Sequence, residues 1–177
     1  MTSVTAGREV RMWVLWGQVA AGCTPLDEAT FADLVAAGHA AIEQEALGTF
    51  DRVAARIRRR TPCLGFVPSP EPWAAHLVDL AVVAYFRGDD WQAPLATALW
   101  IVPDIDRGGG EDHEIASWDP GPPPAGVPFD GELYVDGTSA VTLPPDGLHL
   151  VQARDGGQRR GRSGGHHPGT GGKTRPF

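Results

Sequence analysis

Cysteine is scarce in this chain, which has only Cys23 and Cys63. Neither lies in a CxxC pair or near a histidine at the spacing of a zinc site, so the sequence contains no zinc motif. Isolated cysteines are typical of a reducing compartment, where each acts as a small apolar residue. A disulfide between them is the alternative, although nothing in the sequence favours it.

Long apolar runs are also missing. The longest apolar stretches, 73–86 and 91–102, are separated by polar residues and are shorter than the roughly 20 residues of a membrane span. Near the amino terminus, residues 12–16 form an apolar run of about five residues, whereas a signal peptide needs roughly 7–15. We therefore expect a soluble, cytoplasmic protein with no membrane partner.

Charge is distributed unevenly. Residues 1–153 contain 9 arginines against 21 acidic residues, a net charge of -12, whereas residues 154–177 contain 6 basic residues against one acid, a net charge of +5. From residue 156 onward the chain has 8 glycines and no Leu, Ile, Val, Met or Trp. Such a segment buries too little apolar surface to become ordered. We predict a single domain over 1–153 and a disordered, solvated Gly/Arg-rich tail over 154–177. A weak contact of this tail with a polyanion is the alternative.

Apolar periodicity predicts four or five helices in a compact bundle. The first, over about 10–22, is ambiguous because Val10, Val14 and Trp16 also alternate as in a strand, but the Ala-rich continuation favours a helix. The second starts at Thr24 as N-cap and ends by Gly48. Three more are predicted, and their ranges are 49–60, 70–86 and 91–102.

The last two predicted helices are apolar on nearly all sides, which indicates that they are buried. A four-residue connection joins them, so they are expected to pack antiparallel as a hairpin at the centre of the protein.

The segment at about 127–153 has the pattern of short strands. Asp136-Gly137 separates two alternating segments, which is the strongest short-range signal of a β-hairpin. We predict a small C-terminal antiparallel β-meander that packs against the helices, which makes the fold α+β and mainly α.

His76 and Asp79 are weak candidates for a catalytic pair. They stand three residues apart on the most apolar helix, so they share a face. An aspartate that accepts a hydrogen bond from a histidine is the orienting half of a hydrolytic triad. No nucleophile in a recognisable setting accompanies them, and a polar stripe satisfied by hydrogen bonds explains the pair equally well.

An acidic, glycine-rich loop follows the helices. Hard divalent cations prefer several oxygen ligands, and glycines let a loop wrap around them. The spacing matches no calcium loop, and a solvated acidic loop is the simpler interpretation. The candidate metal ligands in this loop are Asp104, Asp106, Glu111, Asp112 and His113.

Taken together, these patterns favour a protein-interaction or accessory module without catalytic activity and without a cofactor, which binds a protein partner or forms a homo-oligomer. The evidence is an acidic body, aromatic-rich helices and the absence of a recognisable catalytic motif. A divalent-metal-dependent hydrolase that uses the 104–114 loop is one alternative. A nucleic-acid-tethered effector that binds through the basic tail is another.

Overall fold

The structure is a computed structural model that describes residues 13–16, 23–108, 114–144 and 148–154. The described part combines helices with one mixed sheet, which confirms the predicted α+β class. Its helices are α1 (Glu28–Glu43), α2 (Leu47–Arg60), α3 (Pro70–Arg87), α4 (Gln92–Ile101) and the short α5 (Glu114–Ser117). Its strands are β1 (Trp13–Trp16), β2 (Val127–Val135), β3 (Thr138–Leu143) and β4 (Leu150–Arg154).

Helix α1 begins three residues later than predicted. Its N-cap is Asp27, whose carboxylate accepts hydrogen bonds from the backbone N–H of Thr30 at 2.8 Å and from its hydroxyl at 3.0 Å. The predicted cap, Thr24, lies outside the helix. The aspartate replaces it because its carboxylate reaches the third N–H of the helix, which has no partner within the helix.

The hairpin of α3 and α4 lies in the core as predicted. Leu77 on α3 and both Leu95 and Ala98 on α4 are completely buried. Gly88, with φ 73°, ends α3 in the left-handed conformation. Asp90 then accepts from the backbone N–H groups of the first turn of α4. Within the described residues, no helix is both long and apolar enough to cross a bilayer.

The helix predicted near the amino terminus is wrong where the chain is described, because residues 13–16 form β1. This strand pairs in parallel with β4, with Trp13 opposite Leu150 and Trp16 opposite Ala153. The edge of β4 provides hydrogen-bond partners for the backbone of β1, so the extended conformation wins over the local helical pattern.

The predicted strands are present, but their order is not that of a meander. The sheet order is β1-β4-β2-β3, so β2 lies between β3 and β4. Strand β4 pairs with β2 rather than with β3, its predicted neighbour. Arg154, predicted to begin the tail, is the last residue of β4. The rest of the predicted disordered tail lies outside the described residues.

The prediction of two separate cysteines is also wrong. Cys23 and Cys63 form a disulfide with their Cα atoms 5.5 Å apart. Cys23 precedes α1 and Cys63 follows α2, and the packing of these two helices brings the cysteines together. Leu26 donates its backbone N–H to the carbonyl of Cys63 at 2.9 Å in the same place.

The hairpin turn between β2 and β3 predicts a strong effect of one methyl group. Asp136 and Gly137 have φ of 53° and 84°, the positive values of a two-residue type I′ turn. A Cβ at Gly137 would also overlap the carbonyl oxygen of Pro68. We expect Gly137→Ala to lower the free energy of unfolding by about 2 kcal/mol, as measured by urea denaturation.

Gly121→Ala is the matched control for that substitution. Gly121 also has a positive φ, 70°, but a Cβ there would have no described atom within 4 Å. The free energy of unfolding of Gly121→Ala should therefore fall by only about 1 kcal/mol, the cost of a positive φ at a residue with a Cβ. Equal losses in the two variants would show that the contact with Pro68 has no energetic importance.

Candidate functional site

A histidine–aspartate pair joins α1 to α3. Nδ1 of His39 lies 3.0 Å from Oδ1 of Asp79. Asp79 is only 4% exposed, whereas the side chain of His39 is 60% exposed. Nε2 of His39 lies 3.7 Å from Oε1 of Glu43, one helical turn further along α1. The pair therefore connects a buried carboxylate to the surface of the protein.

The environment raises the pKa of both members of the pair. The hydrogen bond with Asp79 raises the pKa of His39, and the charges of Asp79, Glu43 and Asp106 add to this effect while partial burial opposes it. Burial raises the pKa of Asp79, and the hydrogen bond with His39 offsets part of that effect. Protonated His39 is thus favoured relative to a histidine in water.

The pair lies in a groove between α1, α3 and the loop at 105–108. The groove has a volume of about 790 Å³. Among its described lining residues none carries a hydroxyl or a thiol, so the lining offers no nucleophile of those types. Apolar side chains of both helices form most of its walls, including Val35, Ile42, Ala75, Val78, Val82 and Phe86.

Asp79 has one oxygen without a hydrogen-bond partner in the described part of the chain. Its Oδ1 is hydrogen-bonded to His39, but Oδ2 is buried and has no partner among the described residues. A buried acceptor without a donor costs about 1–3 kcal/mol. Asp79 lines the groove, so a bound molecule that displaces the atoms covering Oδ2 would remove that cost by supplying a donor.

The acidic loop contributes one of its predicted ligands to this groove. Asp106 lines it and accepts from the backbone N–H of Gly108 at 3.0 Å. Arg107 also lines the groove, and its guanidinium donates to the carbonyl oxygens of Ala116 and Trp118 at 2.9 and 2.8 Å. These bonds hold the loop against α5.

The structure does not gather the predicted metal ligands into a described site. Asp104 is exposed in a turn, and it does not line the groove. Glu111, Asp112 and His113 lie outside the described residues. Within the described ranges, no group of three or more His, Cys, Asp or Glu side chains is placed to hold a metal ion. The divalent-metal site stays a prediction.

The predicted pair of His76 and Asp79 points to two different places. Asp79 bonds to His39 of α1, while His76 lines a separate cavity that faces α2 and residues 148–150. Residues three apart on a helix are neighbours, yet each of these is enclosed by different elements. Asp79 is therefore not the orienting partner of His76.

Two contacts between a histidine and an aspartate were not predicted. The first is His39 with Asp79, for which the i, i+4 spacing of His39 and Glu43 on α1 is the only local signal. The second is the buried pair of His149 and Asp136, with Nδ1 and Oδ2 2.6 Å apart. Asp136 also accepts from the backbone N–H of Leu150 at 2.7 Å, which fixes the hairpin turn to β4.

Comparison with protein-family models, curated proteins and solved structures found no match to this chain. A proposal for function therefore has to rest on the chemistry of the groove. It offers apolar walls, an unpaired carboxylate oxygen at Asp79 and further carboxylates at Glu43 and Asp106.

Proposed function

We propose that this protein is a non-catalytic interaction module whose groove between α1 and α3 binds a segment of a partner protein. The segment carries apolar side chains and at least one arginine or lysine. The observation that carries the proposal is the unpaired, buried Oδ2 of Asp79 in a groove with mainly apolar walls. A cationic N–H donor is the natural partner of that oxygen.

The charges of the groove support a cationic partner. Among the described residues, its lining contains the carboxylates of Glu43, Asp79 and Asp106 against one arginine, Arg107, and one histidine, His39. The Arg107 guanidinium already donates to carbonyl oxygens of the chain. Carboxylates around an apolar groove attract basic segments and disfavour acidic ones.

The shape of the groove supports a segment of polypeptide rather than a small molecule. Its lining follows α3 from Pro72 to Phe86, a length of about 21 Å at 1.5 Å per residue. Phe86 is 67% exposed at one end of that row. An amphipathic helix that places apolar side chains at i, i+3, i+4 and i+7 matches such a row.

Selection from a library of displayed helical peptides tests this proposal. We expect enriched peptides to combine an apolar stripe with Arg or Lys. Their affinity, measured by fluorescence anisotropy, should fall at least about ten-fold in Asp79→Asn, because a hydrogen bond to a charged group contributes about 1.5–3 kcal/mol. The double variant Glu43→Gln/Asp106→Asn should have a smaller effect, since both carboxylates are exposed to solvent. Asp33→Asn changes an exposed acid of α1 outside the groove lining and should leave affinity unchanged.

Other outcomes of this experiment contradict the proposal. Selected peptides that lack cations, or binding that is insensitive to the groove variants, would place the binding surface elsewhere. Peptide-independent self-association lost in the groove variants would identify a second copy of the chain as the occupant. Hydrolysis of p-nitrophenyl acetate that disappears in His39→Gln would indicate that the His39–Asp79 pair acts as a general base on water.

The remaining alternatives from the sequence keep the status of predictions. The metal-dependent hydrolase depends partly on residues 111–113 and the nucleic-acid tether on residues 155–177, which lie outside the described residues. The cytoplasmic location also stays a prediction. The disulfide of Cys23 and Cys63 argues against it, because disulfides persist mainly in oxidising compartments.

A further inference from the structure

A second cavity lies between α2, α3 and residues 148–150, away from the groove. Its volume is about 260 Å³, below the usual range of pockets for drug-sized ligands. Apolar side chains from all three segments line it, among them Ile57, Leu77, Leu80 and Leu148. It can enclose the apolar body of a small molecule.

Two side chains of this cavity's lining each have a buried polar atom that has no hydrogen-bond partner among the described residues. These atoms are Nε1 of Trp73 and Nδ1 of His76. The two side chains are 8% and 3% exposed, and their ring centroids lie 5.7 Å apart. Because the indole nitrogen is only a donor, Trp73 requires an acceptor.

The remaining polar groups of the cavity favour an anionic acceptor. The lining includes Arg58, an exposed residue of α2. Burial, with a smaller effect from the charge of Arg58, lowers the pKa of His76 to about 4. His76 is thus neutral at physiological pH, and its Nδ1 can donate a hydrogen bond in one tautomer. His149, also in the lining, is held by Asp136 through Nδ1.

We propose that this cavity binds a small monocarboxylic acid with an apolar body. The carboxylate accepts from Nε1 of Trp73 and from Nδ1–H of His76, and it pairs with the guanidinium of Arg58. The apolar body lies among the leucine and isoleucine side chains. This site is independent of the groove at Asp79, so a failure of one proposal leaves the other standing.

Titration with benzoate tests the proposal, with indole and backbone N–H signals followed by NMR. We expect benzoate to shift the indole N–H signal of Trp73. That signal is assigned by its absence from the spectrum of Trp73→Phe. Affinity should fall at least about ten-fold in Trp73→Phe, which loses a buried hydrogen bond to a charged group. It should fall about three-fold in Arg58→Gln, because the guanidinium is exposed and its ion pair is screened by solvent. Arg59→Gln is the control, because Arg59 neighbours Arg58 but does not line the cavity.

Two related molecules of similar shape separate this ligand class from others. Benzylamine should not bind, because its ammonium group would meet N–H donors and Arg58. Benzyl alcohol should bind more weakly than benzoate. The proposal is overturned if benzoate at about 10 mM shifts no signal of the cavity, because the dissociation constant would then be well above 1 mM. Equal binding of benzylamine, or benzoate binding that Arg58→Gln leaves unchanged, would also overturn it. Arg58 is exposed, so its substitution tests the site even if Trp73→Phe does not fold.

Discussion

Replacing Cys23 and Cys63 together with serine is expected to lower the free energy of unfolding by about 4 kcal/mol. The disulfide joins residues with a sequence separation of 40 and so restricts the unfolded chain. The loop-entropy relation gives about 4 kcal/mol for a loop of this length. Urea denaturation followed by circular dichroism should show a lower midpoint in the variant, together with a larger m value because its unfolded chain is less compact.

Reduction provides the control for this prediction. A phosphine reductant should lower the denaturation midpoint of the unaltered protein and leave that of the double serine variant unchanged. Quantitative labelling of both thiols in native protein purified without reductant would contradict the disulfide. In that case the predicted reducing compartment would regain its support, because the cysteines would then be the small apolar residues that the sequence suggested.

The helices between residues 28 and 101 could be predicted because their signals are local. The stripe of apolar residues on α2, the glycine that ends α3 and the aspartate that precedes α4 each act within a few residues of the backbone they affect. The buried hairpin of α3 and α4 follows from their composition and the short connection. Even the cap of α1 was misplaced by only three residues, to Thr24 instead of Asp27.

The sheet could be predicted only in part because its order depends on contacts between distant residues. The Asp136-Gly137 turn correctly fixes the pairing of β2 with β3. Nothing local indicates that β4 passes β3 and pairs with β2, or that β1 joins from the far end of the chain. A four-residue apolar run such as β1 has no period long enough to distinguish a strand from a helix.

The candidate site was missed for the same reason. His39 and Asp79 are 40 residues apart, and only the packing of α1 against α3 brings them together. Sequence spacing identified His76 and Asp79 as neighbours on one helix, which is correct for the backbone. It could not show that α1 covers one of these side chains while α2 and β4 enclose the other. The disulfide is a third contact of this kind, since the packing of α1 against α2 brings its cysteines together.

The burial of His76 predicts a loss of stability in acid. Its pKa is about 4 in the folded protein and near 6.5 in the unfolded chain. Above about pH 6.5 the ring is neutral in both states, and the free energy of unfolding is at its full value. Below that pH the free energy of unfolding falls, because protons bind His76 in the unfolded chain but not in the folded protein. Between about pH 7.5 and pH 4 the loss should reach about 3 kcal/mol, at 1.36 kcal/mol for each pKa unit.

Urea denaturation of the unaltered protein and of His76→Leu across this pH range isolates the effect. The leucine variant should lack the acid-dependent loss of about 3 kcal/mol, so the difference between the two curves should change by that amount. His39→Gln is the matched control on the other face of the α1–α3 pair. The folded pKa of His39 is raised, so its stabilising contribution is complete below about pH 6.5 and is lost as pH rises through that folded pKa. The control variant should therefore keep the acid-dependent loss of stability. Parallel curves for the unaltered protein and His76→Leu would contradict the prediction, because they would show that folding does not lower the pKa of His76.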